Sequence, residues 1–394
     1  MKVYFSVIGL GLGHIARCLS IANELREEGI ECVFSSYGKA AELAKKEGFK
    51  TYDSRDLMWY QHENGRIDFE MTLLKSPLIF GKMMEHFKSE YARVNKEDPD
   101  LVISDSRYSI IPASGDLDIP RLYITNQPKI LMPKDENGKK KILARLGKIG
   151  TKFNYKLLSG QDKVLLPDFP LPYSISEKHM RMDDAPEKFK KKTEFVGPIA
   201  PHRPNGASSE RIEEVCEKFD VPPGDFIYVA FSGPGEVKKE INEAIYKLFP
   251  DYDIPVVMGT GKPGDFKMHR KGNLRLIDGW IEEREELMEA ADLVMSRAGL
   301  CTLSEIAAFG KKSVIIPQPN QPEQESNAEG VEKLGFGKKL DPKNTCEKTL
   351  SETLEEVRTS KEIKRSAKKW RKKCDQWKGE KRSAEIVLDH LETH

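Results

Sequence analysis

The stretch Lys2-Val3-Tyr4-Phe5-Ser6-Val7-Ile8-Gly9-Leu10-Gly11-Leu12-Gly13-His14-Ile15-Ala16-Arg17 decides the fold. Lys2 to Ile8 is β-rich and runs into glycines. Ile15, Leu19, Ile21, Ala22 and Leu25 then recur at helical spacing up to Gly29. That order is a strand, a tight loop and a helix. The unit repeats with Glu31 to Ser35 and a helix from about Lys39, and again with Leu101 to Ile103 and Leu122 to Ile124. Strands alternating with helices predict a mostly parallel sheet covered on both faces.

The pattern breaks at Pro167 to Pro172, passes a proline-rich hinge from Gly197 to Pro204, and restarts. The second set of strands is Phe226 to Phe231, Pro255 to Met258, Leu274 to Ile277, Leu293 to Met295 and Ser313 to Ile316, with helices such as Lys239 to Leu248 and Thr302 to Phe309 between them. A length of 394 residues suits two cores, since domains average roughly 150 residues. The expected α/β architecture is two Rossmann-like, doubly wound parallel-sheet domains, residues 1–168 and 169–360. Residues 361–394 carry Ala367, Trp370, Cys374 and Trp377 at spacings of three and four, which predicts a C-terminal helix that returns to the first domain.

Lys and Arg number 64 against 63 for Asp and Glu, so the net charge of +1 creates no global field for nucleic acid. The six cysteines are scattered without a CxxC pair or zinc-ligand spacing, as in reduced thiols of a cytosolic protein. The N-terminal apolar run is too short for a signal sequence, and nowhere do about 18 apolar residues follow one another. A soluble, cytoplasmic chain is expected.

In open parallel sheets, ligands bind beyond the carboxyl ends of the strands, where helix N-termini present free amides. The loop from Gly9 to Gly13 occupies such a place but lacks GxGxxG spacing, and the next strand ends in Ser35 and Ser36, not in a ribose-binding acid. A nicotinamide or flavin cofactor is therefore not expected. His14, at the helix start, has its cationic form disfavoured by the helix dipole, which suits either a neutral base or a capping contact. Asp105, after the Leu101 strand, is the rival base.

The most specific segment is Ser296-Arg297-Ala298-Gly299-Leu300-Cys301-Thr302-Leu303-Ser304-Glu305, followed by Pro317-Gln318-Pro319-Asn320-Gln321-Pro322-Glu323-Gln324-Glu325-Ser326-Asn327-Ala328. It resembles the donor-sugar signature of glycosyltransferase family 28. The loop ending in Gly13-His14, with Arg17 a turn later, is similar to that family's N-terminal motif. The resemblance implies a GT-B architecture, two facing domains with a nucleotide-sugar donor in the cleft, held mostly by the second.

It also implies roles. Gly299 lets the backbone approach a diphosphate, with Arg297 beside it and the amides of Leu300 and Thr302 opening the helix beneath. Glu305 would accept the ribose hydroxyls, unless it is only a solvated helix residue. Gln321 and Gln324 would contact the sugar. Ser232 and Gly233 begin a second phosphate loop, which departs from the family by inserting Pro234. Ile277 to Trp280 matches a segment whose backbone reads the nucleobase, implying uracil, with Trp280 either stacking on the base or sitting in the core. Arg203, near the family's hinge arginine, would pair with the diphosphate. Gly13, Arg17 and Asn126 would meet the acceptor.

No metal is expected. Asp116-Leu117-Asp118 and Asp251-Tyr252-Asp253 mimic a DxD motif, but both precede strands, where acidic turn residues are common. The predicted activity is an inverting, metal-independent transfer of a hexose or N-acetylhexosamine from a UDP-sugar. Alternatives from other classes are a UDP-sugar 2-epimerase and a non-catalytic nucleotide-sugar-binding subunit. Between Gly138 and Leu157, Lys139, Lys140, Lys141, Arg145, Lys148, Lys152 and Lys156 lie without an acid, while Ile142, Leu146, Ile149, Phe153 and Leu157 repeat at three and four. That stripe either covers the first sheet or, with Phe80, Met83 and Met84, meets an anionic membrane surface. Family members act on lipid-linked acceptors, which implies peripheral attachment at the inner face of the cell membrane.

Overall fold

A computed structural model describes residues 1–54, 76–132, 140–204, 206–231, 239–260 and 265–393, without the side chains of 76–83, 140–143 and 239–242. The chain forms two compact units.

In the first unit the elements alternate as expected: β1 (Lys2–Val7), α1 (Gly13–Glu27), β2 (Glu31–Ser36), α2 (Gly38–Lys46), β3 (Lys50–Asp53), α3 (Ser76–Glu97), β4 (Leu101–Asp105), α4 (Ile110–Asp116), β5 (Arg121–Ile124), α5 (Lys140–Leu158), β6 (Lys163–Leu166) and β7 (Thr193–Phe195). The strands form a parallel sheet in the order β3-β2-β1-β4-β5-β6-β7. Both faces are covered. Ile15, Leu19 and Leu25 pack on Val3, Phe5 and Phe34 from one side, and Tyr155 and Leu158 join Tyr4, Val102 and Tyr123 on the other. The strand order reverses between β1 and β4, so the loop after β1 and the loop after β4 meet at the switch point where α/β sheets bind ligands.

The second unit contains α6 (Ser209–Lys218), β8 (Ile227–Ala230), α7 (Lys239–Leu248), β9 (Val256–Gly259), β10 (Lys267–Lys271), β11 (Leu274–Asp278), α8 (Arg284–Ala290), β12 (Leu293–Ser296), α9 (Leu300–Phe309), β13 (Lys312–Ile315), α10 (Pro322–Leu334), β14 (Gly337–Lys339), α11 (Glu347–Thr359) and α12 (Lys361–Gln376). Its sheet runs β10-β11-β9-β8-β12-β13-β14, parallel except for the β10–β11 pair. All residues of β10 are exposed, so its side chains carry no burial pattern by which sequence could have found it.

The boundaries differ from the sequence expectation. The first unit does not stop at residue 168: it comprises 1–174, 178–201 and 377–394, because β7 adds to its sheet beyond the proline break. Residues 175–177 belong to the second unit with 202–376. Ser176 Oγ donates to Asn327 Oδ1 at 2.5 Å, and a Cβ on Gly330 would lie 1.9 Å from the Ile175 carbonyl. Nor does the whole segment from 361 return. In α12, Trp370 Nε1 donates to the Leu334 carbonyl at 2.8 Å, fixing that helix to the second unit. Only the last helix, α13 (Gly379–Thr393), rejoins the first, where Ala384, Val387 and Leu391 complete the core around α1.

Candidate functional site

The glycine loop after β1 is shaped by close contact. A Cβ on Gly9 would fall 2.5 Å from both the ring and the carbonyl of Tyr37, so no larger residue fits there. The loop delivers Gly13 as the first residue of α1 and His14 as the second. His14 Nδ1 lies 2.8 Å from Asp105 Oδ1 at the end of β4. Asp105 is fully buried and gripped from the side by Arg17, whose Nε and Nη2 each stand 2.5 Å from one carboxylate oxygen. Burial alone would raise the Asp105 carboxyl, but Arg17 and His14 outweigh it and hold the group well below the usual carboxylate range.

These contacts revise three expectations. Asp105 is enclosed, so it orients the imidazole and has no open path to a hydroxyl. Arg17 is buried on Asp105 and does not present its charge to an acceptor. Arg17 Nη2 also stands 2.9 Å from His14 Nδ1. A proton on Nδ1 directed at Asp105 would leave the lone pair of the partly exposed ring on Nε2. Asn126, expected at the acceptor, is buried just past β5.

In the second unit, β12 ends in Ser296 and α9 begins with Gly299 as its N-cap, which no side chain caps. The amides of Leu300, Cys301 and Thr302 are therefore the first turn of a helix suited to an anion. Asn327 Nδ2 donates to the Ala298 carbonyl at 2.9 Å and fixes the loop that leads into this turn. Sequence reasoning quoted Asn327 within the motif but gave it no task. The signal was its place in a helix whose neighbours Ser326 and Ala328 are also buried.

Arg297 does not extend toward the amides. Its Nη1 spans to the carbonyls of Ile316 and Pro317 at 3.3 and 3.4 Å, its guanidinium lies over the Phe231 ring, and burial lowers its pKa to about 10. It braces the loop after β13. Gln324 braces the same loop by accepting from the Gln318 amide at 2.8 Å, which leaves its side-chain NH2 for a ligand. Gln321 is the N-cap of α10, and its Oε1 is buried with no hydrogen-bond partner among the described residues.

Glu305 is not a solvated helix residue. Its side chain is 3% exposed and Oε2 receives Arg284 Nη2 at 2.5 Å. Arg284 lies outside the Ser296–Glu305 segment, and no spacing marks it as the partner of Glu305. Ile277 is committed to the sheet, with its side chain buried and its carbonyl accepting from Thr260 N at 2.8 Å. A nucleobase read by free backbone groups would have to meet the residues after β11. There Trp280 is 59% exposed, which removes the core alternative. Arg203 Nη1 donates to the Cys374 carbonyl at the end of α12, a structural tie in place of the expected diphosphate contact. Ser232 and Gly233 lie outside the described residues. The DxD-like pairs precede the N-terminal ends of β5 and β9, whereas the glycine loop after β1 and the turn after β12 follow strand C-terminal ends.

Comparison with known proteins agrees with this architecture. Residues 236–383 match the glycosyltransferase family 28 C-terminal domain. The chain is 28% identical over 346 residues to an uncharacterized glycosyltransferase of Methanosarcina acetivorans, covering 86% of this chain and 84% of that one. It is 27% identical over 379 residues to the UDP-N-acetylglucosamine--N-acetylmuramyl-(pentapeptide) pyrophosphoryl-undecaprenol N-acetylglucosamine transferase of Clostridioides difficile, covering 92% and 82%. Among solved structures, the spinosyn forosaminyltransferase superposes with a TM-score of 0.68 at 13% identity and the calicheamicin glycosyltransferase with 0.64 at 17%, the first covering 99% of both chains and the second 99% of this chain and 98% of the other.

The fold is thus that of two-domain GT-B glycosyltransferases, and the chain is an enzyme of that class. Residues 236–383 are similar to the C-terminal domain of glycosyltransferase family 28.

Proposed function

We propose that the protein is an inverting, metal-independent glycosyltransferase that moves a hexose or N-acetylhexosamine from a UDP-sugar to a lipid-linked acceptor at the cytoplasmic face of the membrane. The observation that carries the reading is the His14–Asp105 pair, 2.8 Å apart, with Asp105 buried and fixed by Arg17. Such a pair would present Nε2 as a base oriented by the carboxylate behind it, the logic of a dyad.

In the proposed reaction, Nε2 takes the proton of an acceptor hydroxyl as its oxygen bonds to the anomeric carbon. The bond from that carbon to the diphosphate oxygen breaks, and UDP departs with the electron pair. One displacement inverts the anomeric centre. Charge developing on the diphosphate would be met by the amides of the first turn of α9, which act as fixed dipoles and make a metal unnecessary. Trp280 would stack on the base.

The lipid-linked acceptor is supported by the outward face of α5. Leu146, Ile149 and Phe153 are 48%, 64% and 67% exposed, and Arg145, Lys148 and Lys152 are exposed beside them. The helix packs inward through other residues: Thr151, Asn154, Tyr155 and Leu158 are buried, and Gly147 lies so close to Met132 that a Cβ would sit 2.9 Å from its Cγ. The apolar stripe is therefore not what covers the sheet, and an apolar face with a basic border suits an anionic bilayer. No described helix is long and apolar enough to cross a membrane.

The test is binding and turnover in the presence of EDTA. Nucleotide sugars are screened by thermal shift, and those that stabilise the protein are offered with polyprenyl-diphosphate-linked sugars. UDP-sugar binding and transfer with inversion support the proposal. A strict requirement for Mg²⁺ or Mn²⁺, retention of configuration, or turnover of the donor without an acceptor to a 2-epimer would overturn it.

A further inference from the structure

Glu305 lies on α9 beyond the amides of its first turn, and Arg284, the first residue of α8, takes one of its two oxygens at 2.5 Å. Against the 3% exposure of the Glu305 side chain, Arg284 keeps 31%. The Arg284 Nε is buried without a hydrogen-bond partner, so the guanidinium holds donors that the described residues do not satisfy.

We propose that Arg284 is a specificity-determining residue of the donor site, forming with Glu305 a paired donor and acceptor that reads the vicinal hydroxyls of the nucleotide's ribose. The inference rests on the UDP-sugar reading above and adds a residue to it. Each hydroxyl of a diol both donates and accepts. Glu305 Oε1, which has no partner among the described residues, accepts from one hydroxyl, and a guanidinium N–H donates to the oxygen of the other. A carboxylate alone satisfies only half of that pattern.

The pair also solves an electrostatic problem. A buried carboxylate near a diphosphate repels it, and the low dielectric amplifies the repulsion. Arg284 cancels that charge while leaving Oε1 in place. Burial alone would lower the Arg284 pKa, but Glu305 and nearby Tyr228 and Cys301 raise it, so the guanidinium stays charged throughout the neutral range.

The experiment compares UDP, 2′-deoxy-UDP and 3′-deoxy-UDP by calorimetry on the full chain, with thermal melts to confirm folding. The wild type should prefer UDP over at least one deoxy analogue by roughly tenfold or more, as for hydrogen bonds to charged groups. Arg284→Met should bring that ratio close to one, largely through loss of UDP affinity, and Arg284→Lys should restore part of it. If Arg284→Met does not fold, Arg284→Gln serves the same comparison. An unchanged ratio, or an equal loss for UDP and its deoxy analogues, gives Arg284 a structural role only and overturns the inference. If the folded wild type does not bind UDP, the donor reading itself fails; if it binds UDP and the variants keep the wild-type ratio, only the role of Arg284 fails.

Discussion

Glu90 and Arg107, both fully buried, face each other at 3.0 Å beneath the loops of the first unit. Arg93 adds a second cation at 2.9 Å, and the Glu90 oxygens accept from the hydroxyls of Ser35, Ser6 and Tyr4. One carboxylate on α3 thus gathers β1, β2 and the loop that follows Asp105. Replacing Glu90 by Ala leaves the buried Arg107 guanidinium without its counter-charge and removes one from the partly exposed Arg93. A loss of about 3–5 kcal/mol in unfolding free energy is expected, measured by urea denaturation, and a loss below 1 kcal/mol would show that this network does not hold the loop.

The same carboxylates set the acid limit of stability. Burial alone would raise both carboxyls, but the arginines and hydroxyls around Glu90, and Arg17 and His14 beside Asp105, lower them. A folded-state pKa below the unfolded value gives stability that is fully present above the unfolded pKa, near 4 for these groups. It is lost as pH falls through the folded values. The melting temperature should therefore change little from pH 7 to about 5 and drop below about 4. Glu90→Gln should start lower and show a shallower acid decline. Parallel curves would mean that Glu90 does not contribute.

The roles of His14 and Asp105 separate kinetically. His14→Ala removes the proposed base and should lower kcat by about 10²- to 10⁴-fold while leaving UDP affinity within a few-fold. Asp105→Asn keeps the shape but presents an amide to Nδ1, and should also lower kcat with little effect on donor KM. Full turnover in His14→Ala would leave the histidine as a helix-start residue only.

Asn327 should act on donor binding without touching the donor. Its side chain joins Ser176 to the Ala298 carbonyl and so fixes the entry to α9. Asn327→Ala leaves that buried carbonyl unsatisfied, a cost of roughly 1–3 kcal/mol. Weaker UDP binding together with a lower melting temperature is expected. Unchanged UDP affinity would separate the loop from the donor site.

Sequence placed β1, β2, β4, β5, β8, β9, β11, β12 and β13 because each is an apolar run bounded by turn residues, and it placed Gly9–His14 and Gly299–Glu305 because glycine before a helix is a local signal. What escaped was non-local. Nothing in Arg284 or Arg17 reveals that their charge is spent on a carboxylate distant in the chain, since ion pairs of that kind leave no spacing to read. A cation near a diphosphate motif, as Arg203 and Arg297 are in the sequence, suggests a ligand contact. Their carbonyl partners come from other elements. β7 was missed because it has three residues, none of them buried, after a proline-rich break.

The exposed face of α5 yields the last prediction, and it turns on which residues carry affinity. Ile149 and Phe153 each leave most of their side chain in solvent, an arrangement with no folding advantage in a helix whose inner face is already packed through Thr151, Asn154, Tyr155 and Leu158. Inserting such side chains into a bilayer interface removes apolar area from water, at about 25 cal/mol per Å². Arg145, Lys148 and Lys152 add roughly 1 kcal/mol each near an anionic surface, screened by salt. Co-sedimentation with phosphatidylglycerol-rich vesicles should therefore be strong at low salt, weaker at about 0.5 M salt, and weak on neutral phosphatidylcholine. Changing Arg145, Lys148 and Lys152 to Glu should abolish the preference for anionic vesicles. Ile149→Ser with Phe153→Ser should reduce binding at every salt concentration, with no fall in melting temperature because neither side chain is in the core. Equal binding to anionic and neutral vesicles, or an unaffected serine variant, would remove the membrane role of this face.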